Sequence, residues 1–183
     1  MSEIHSRAAR AEDIEALCAL LLAHGPNPWN HLPEAEVRSH LAAIADGATR
    51  AVLAEEQERL CGFVSYRLTR DFARHQPAGR TEQLHGYVCE AVVHRDCVGR
   101  GLGGRLLEEA VAELWRLGVG DIYIDRHEEN AASAGMMRKA GFAELLTYAD
   151  PARRPNGSGR STLCCLRRED RAAKPVTERR GVR

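Results

Sequence analysis

Apolar positions recur along this chain in two rhythms. In "AEDIEALCALLLAHGP", Ile14, Leu17, Cys18 and Leu21 fall at i, i+3, i+4 and i+7, the spacing of one helix face. Glu12 and Asp13 suit the positive end of that helix's dipole. Gly25 and Pro26 stop it. "PEAEVRSHLAAIADG" repeats the logic, with Pro33 in the first turn, Val37, Leu41 and Ile44 as the stripe and Gly47 as the stop. Residues 3–9 suit a short leading strand. "RAVLAEEQERLCGFVSYRL" predicts two strands around a polar turn from Glu55 to Arg59.

"TRDFARHQPAGRTEQ" is a polar loop, long enough to suggest a functional or mobile segment. "LHGYVCEAVVH" is nearly all apolar, as a central strand would be. A glycine-dense turn follows, then a helix to about Leu117 with Leu102, Leu106, Ala110 and Leu114 on one face. "DIYIDR" predicts a strand, "NAASAGMMRKAGF" a helix stopped by Gly141, and "AELLTYAD" and "RSTLCCLRR" two strands around the loop "PARRPNGSG". The fold class is α/β or α+β with a mixed sheet, hairpin strands first and strand–helix–strand units later.

The 183 residues favour one domain, residues 1–167, and a tail, residues 168–183. From Arg167 on there are seven Lys/Arg against three Asp/Glu and no apolar periodicity, which predicts a disordered basic tail. Elsewhere the charge is balanced. Lys+Arg and Asp+Glu each number 26, which argues against a dedicated nucleic-acid binder. No apolar run reaches membrane-helix length. "MSEIHSRAARAEDIEAL" lacks a secretory layout, and a cytoplasmic protein is expected. Cys18, Cys61, Cys89 and Cys97 are scattered and Cys164-Cys165 adjacent. Without a C-x-x-C no metal site is expected, and the cysteines read as reduced thiols, mostly small core hydrophobes. Cys97 stands apart beside the glycine turn.

That turn holds Gly99, Gly101, Gly103 and Gly104 between a strand and a helix. Such backbone permits tight turns and close approach of a ligand. The free N–H groups and the dipole of the following helix make an anion site, with phosphate the natural guest. A nucleotide P-loop needs G-x-x-x-x-G-K-[ST], but Arg105 and Leu106 follow here. Gly99, Gly101 and Gly104 do satisfy G-x-G-x-x-G, and Asp125 imitates the ribose-binding acid of a nicotinamide oxidoreductase. Against that reading, the turn comes mid-chain after a hairpin, with too few strand–helix units behind it. Glycine that only lets a helix pack on a strand explains one or two of the four.

"VGRGLG", Val98 to Gly103, resembles motif A of the GNAT superfamily of acyl-CoA-dependent N-acyltransferases, [QR]-x-x-G-x-[GA]. The opening "HSRAARAEDIEAL", the hairpin, and "DIYIDRHEENAASAGMMRKAGFAE" are similar to other segments of the family in order and spacing, over about residues 3–167. The resemblance implies a mostly antiparallel sheet flanked by helices, splayed at the strand before the glycine turn. It implies acetyl-CoA as acyl donor and a small-molecule or protein amine as acceptor. It also makes a homodimer possible, with the last strand as a contact edge. The pantetheine arm would lie along Ala91, Val92 and Val93, with the Val93 N–H meeting the oxyanion. The pyrophosphate would sit on Gly99, Arg100, Gly101, Leu102, Gly103 and Gly104. Arg100 and Arg105 either add charge there or are solvated helix-start residues. Asn130 either meets the cofactor arm or caps a helix.

Two positions depart from the family. Val98 replaces an Arg or Gln. Met137 stands where many members carry a tyrosine that protonates the departing thiolate, and methionine has no proton to give. A non-catalytic acyl-CoA-binding domain is the alternative this raises. Attack by an amine needs a base. Glu90 is the first candidate, because a carboxylate in an apolar strand is either partnered or functional. Tyr87 would help orient substrate, while His127 and Glu128 lie near the expected cleft but read more readily as a solvated loop. The acceptor site would be built by the first two helices and loops 69–83 and 150–160, where Trp29, Asp71, His75, Asp150, Arg153 and Arg154 lie.

Overall fold

Hairpin-connected strands come first and crossover connections later, and together they make one seven-stranded sheet in the order β1-β2-β3-β4-β5-β7-β6. The computed structural model describes residues 3–172. The strands are β1 (His5–Ala8), β2 (Arg50–Glu56), β3 (Arg59–Thr69), β4 (His85–Val93), β5 (Asp121–His127), β6 (Ala143–Ala149) and β7 (Arg160–Arg167). Helices α1 (Ile14–His24) and α2 (Glu34–Ala42) cover one face, and α3 (Leu102–Arg116) and α4 (Ala131–Lys139) the other.

Period-two alternation sorts the core. Leu53, Phe63 and Val92 pack under α1 and α2 with Leu17, Leu21 and Leu41. Val52, Val64, Val88, Ile122 and Ile124 pack under α3 with Leu106, Leu107 and Leu114. Helix α3 sits so close that a Cβ on Gly86 of β4 would lie 2.9 Å from the Leu114 side chain. Loop 69–83 is not a free lid. Its Phe72 packs on Tyr87 and Tyr123, with ring centroids 5.2 and 5.3 Å apart.

The central strand is the irregular one. β4 runs antiparallel to β3 out to Val93 but pairs in parallel with β5 only over Gly86–Val88 and Ile122–Ile124. β5 continues with β7 to His127, so β4 and β5 separate into a wedge. At the point of separation β4 bulges. Ser65 opposes Glu90 and Tyr66 opposes Val88, which leaves Cys89 as the extra residue. One added residue reverses the alternation. Glu90 therefore turns to the face of α1 and α2 instead of following Val88 under α3. Every other strand pair is antiparallel, which rules out the doubly wound sheet of a dinucleotide fold.

Two expectations need correction. The last strand, β7, is interior, paired on both sides, and β6 is the edge. The predicted tail begins with a short helix, α5 (Arg168–Ala172), because Arg168 donates its N–H to Gly120 and Glu169 pairs with Arg80 at 3.0 Å. The rest of that tail lies outside the described residues. Among the described residues no helix is long and apolar enough to cross a membrane, and no His/Cys/Asp/Glu group is suited to a metal ion.

The β2–β3 hairpin turns on Gln57 and Glu58, both left-handed at φ 50° and 63°. That is the conformation for which Asn-Gly is favoured in two-residue hairpins. The double variant Gln57→Asn/Glu58→Gly should gain of order 1 kcal/mol in urea unfolding. A loss would show that the side chains at these positions outweigh the backbone strain.

Candidate active site

The wedge between β4 and β5 opens a cleft of about 400 Å³, walled by Cys89 to Val93 on one side and Asp125 to His127 on the other. Beyond Val88, β4 has lost its partner on the β5 side, so its backbone polar groups along that edge are available to a ligand. Ala91, Val92 and Val93 all line it. At its far end the cleft joins a second cavity, of about 570 Å³, under the glycine turn, through Val93, Val98, Gly103 and Met136.

The turn is shaped as an anion site. Gly99 and Gly101 adopt φ +84° and +71°, and a Cβ at either would meet nothing within 4 Å. Glycine is thus required by the left-handed backbone, and the space in front of it is open. Gly101 caps α3, and the first helical bond is from the Arg105 N–H to the Gly101 carbonyl. The amides of Leu102, Gly103 and Gly104 precede it and have no acceptor within the helix. Arg100 is held away in a two-bond pair with Glu56 at 2.9 and 3.0 Å, and Arg105 is exposed. Cys97 is a core residue at 2% exposure. Its neighbour Cys61 is likewise buried, and burial pushes that thiol up to about 11.

Glu90 lines the cleft. Its carboxylate makes no hydrogen bond or ion pair within the described residues, and burial raises it to about 7, against the pull of Arg153. Its backbone N–H donates to Ser65 Oγ at 3.1 Å, and that hydroxyl lies 2.9 Å from His40 Nε2. Burial, and then Arg67, lower His40 to about 4, so its imidazole is neutral and can accept the Ser65 proton. Ser65 and His40 thereby satisfy the amide that the bulge removes from the β3 ladder. Neither carries a sequence signal beyond a polar residue in an apolar pattern. Cys89, beside Glu90, is pushed up to about 12 by burial and is no nucleophile.

Tyr87 does not reach the cleft. Its side chain is buried at 8% exposure and its hydroxyl donates to Asp125 Oδ2 at 3.0 Å. Burial, then the Asp125 charge, hold its phenol well above the usual range. Asp125 also accepts from Arg153 at 2.7 and 3.1 Å and from Arg154 at 2.8 Å. It was legible only as a ribose mimic, although the argument used for Glu90, an acid in an apolar strand, applies to it equally. Asp71 pairs with Arg67 and His75 bonds Arg74, both outside the cleft. His127 is not a solvated loop residue. It is 1% exposed and packs against Trp29 with ring centroids 4.8 Å apart and the rings tilted by 45°. Glu128 is half-buried, 3.4 Å from Arg160. Asn130 caps α4, accepting the Ser133 N–H at 3.0 Å, and also faces the cleft.

A wedge between two parallel central strands, aimed at a glycine turn on a helix N-terminus, is the geometry expected of an acyl-CoA site. The profile of the acetyltransferase (GNAT) family matches residues 14–142. This chain belongs to the GNAT acetyltransferase family. Solved GNAT structures share its fold. A ribosomal-protein-alanine N-acetyltransferase from Brucella melitensis superposes with a TM-score of 0.71 at 20% identity, covering 89% of this chain and 99% of that one. Arabidopsis thaliana NAA60, solved with acetyl-CoA, gives 0.71 at 16%, covering 91% and 99%. The IAA acetyltransferase from Bacillus cereus gives 0.66 at 14%, covering 90% and 99%. No curated protein matches the sequence. Met137 lines the cleft and is buried at 4%, and among the described residues no tyrosine lines it. Ser133, one turn earlier on α4, also lines it.

Asp125 holds a guanidinium, Arg154, that is 7% exposed. Asp125→Ala leaves that charge without its carboxylate and should cost about 3–5 kcal/mol in urea unfolding. Ser65→Ala leaves the Glu90 amide and the neutral His40 Nε2 without their shared partner and should cost about 1–3 kcal/mol. The reverse order would show that the arginine cluster is not what holds the cleft wall.

Proposed function

We propose that this chain is an N-acetyltransferase that moves an acetyl group from acetyl-CoA to a primary amine by direct attack in a ternary complex. The observation that carries this is the wedge opening without interruption onto the amide-rich glycine turn. The donor's pyrophosphate rests on the amides from Gly99 to Gly104, its pantetheine arm on the free edge of Ala91, Val92 and Val93. That brings the thioester into the cleft beside Glu90.

Glu90 acts as base. A carboxyl raised to about 7 is half ionised at neutral pH and basic enough to take a proton from an amine as its nitrogen attacks. The Val93 N–H receives the developing oxyanion. When the carbon–sulfur bond breaks, the sulfur leaves as a thiolate into the cleft that Ser133 of α4 also lines. A thiolate is a tolerable leaving group without a phenol, which is how Met137 is accommodated. Arg100, held by Glu56, takes no part. Tyr87 acts at a remove, by fixing Asp125. Met137 favours one other reading, a domain that binds acyl-CoA without turnover.

Calorimetric titration separates these. Wild-type protein should bind acetyl-CoA and not NADH. Gly101→Glu, which puts a carboxylate and a disfavoured left-handed residue at the pyrophosphate, should weaken binding about tenfold or more with the fold retained by circular dichroism. Binding without turnover of any amine selects the regulatory reading. Binding of NADH instead overturns both.

A further inference from the structure

The cleft has a second mouth. A separate cavity of about 370 Å³ lies on the α2 side, lined by His31, Pro33, Glu36, His40 and Ala152. It shares Asn30, Glu90, Arg153 and Arg154 with the main cleft. None of its residues belongs to the glycine-turn cavity. Glu90 is therefore reachable from two sides, and only one of them is continuous with the anion site.

The two loops that flank the cleft are fastened to each other. The α1–α2 loop brings Trp29 and the β6–β7 loop brings Arg154, Asn156, Gly157 and Ser158. Trp29 packs its ring against His127. The Glu129 N–H donates to His127 Nδ1 at 3.1 Å, so the other nitrogen carries the proton, and it donates to the Asn156 carbonyl at 2.9 Å. Arg154 donates to the Trp29 carbonyl at 3.3 Å, to Ser161 Oγ at 3.0 Å and to Asp125 at 2.8 Å. Glu129 accepts the Ser158 N–H at 2.8 Å. A Cβ on Gly157 would lie 3.0 Å from the Trp29 ring, so no gap is left at the junction. An extended peptide needs an open groove several residues long, and here that space is bridged. What remains is a polar chamber near the lower end of the size range of small-molecule sites. Both of its arginines are engaged by Asp125, which leaves no uncommitted guanidinium for an anionic acceptor.

We propose that the acceptor is a small, polar, non-anionic primary amine that reaches Glu90 through this α2-side chamber, while acetyl-CoA enters from the glycine turn. The inference rests on the acetyltransferase reading above, and its test reads the two substrates separately. Acetyl-CoA affinity is taken from calorimetry. Turnover is measured on a panel of small polar primary amines of up to about 20 non-hydrogen atoms and on ten-residue peptides with free N-termini. The expected result is turnover of small amines with kcat/KM at least about tenfold above any peptide.

Two variants then map the entrances. Ala152→Trp fills the α2-side chamber and should raise the amine KM about tenfold or more with the acetyl-CoA Kd within about twofold. Ala132→Trp, where the main cleft meets the glycine-turn cavity and away from the α2-side chamber, should do the opposite. Preferred turnover of peptides, turnover of nothing in the panel while acetyl-CoA binds, or an Ala152→Trp variant that loses acetyl-CoA and keeps its amine KM each overturns the assignment. Failure of acetyl-CoA to bind at all is a different result, which overturns the acetyltransferase reading itself.

Discussion

Strand β4 cannot serve both neighbours along its whole length. It shares three register positions with β5 and then follows β3 away, with one extra residue, Cys89, at the point of departure. Everything functional here depends on that divergence. It strips the edge of Ala91 to Val93 of strand partners, so that the edge is available to a ligand. The bulge sends the Glu90 side chain to the face where the α1–α2 and β6–β7 loops meet. It also leaves an amide with no carbonyl on β3, and the buried pair Ser65 and His40 supplies the missing acceptor.

Electrostatics around the cleft follow a division of labour. The anion site is built from backbone, since Arg100 is committed to Glu56 and Val98 has no charge. In the proposed reading phosphate rests on amides, which need no particular side chain, so the uncharged Val98 is accommodated. The fixed charges instead lie at the other end. There Asp125 gathers Arg153, Arg154 and Tyr87 and fastens the β6–β7 loop to the sheet. Glu90 stays outside that cluster, and burial without a partner is what raises it.

Much of this was legible in the sequence. Helices and strands announced themselves by period. Gly99 and Gly101 signalled a left-handed turn ahead of a helix, and Glu90 was conspicuous as an acid in an apolar strand. What could not be read was whatever depends on distant segments meeting. Tyr87 and Glu90 are three apart, which in an unbulged strand puts them on opposite faces. The bulge puts both on one face, and Asp125 then claims the tyrosine. His127 looked like loop because its partner, Trp29, is about a hundred residues away in the chain. Loop 69–83 looked available for substrate, yet Phe72 is drawn under Tyr87 and Tyr123 by the apolar surface they offer. The interior position of β7 was hidden as well, because pairing order in a sheet is not a local property.

The account's central claim is that Glu90, turned into the cleft by the bulge, is the base. The most direct test is the pH dependence of kcat at saturating acetyl-CoA and amine, for wild type and Glu90→Gln. With its ordinary value of 4.5 raised to about 7, Glu90 is protonated and inactive below that pH, so wild-type kcat should rise through about 7 and level off above. Glu90→Gln should lose about 100-fold in kcat on the plateau, the low end of general-base contributions, and its profile should show no break near 7. A Glu90→Gln enzyme that keeps wild-type kcat and the same break would contradict the claim and assign the base to another group.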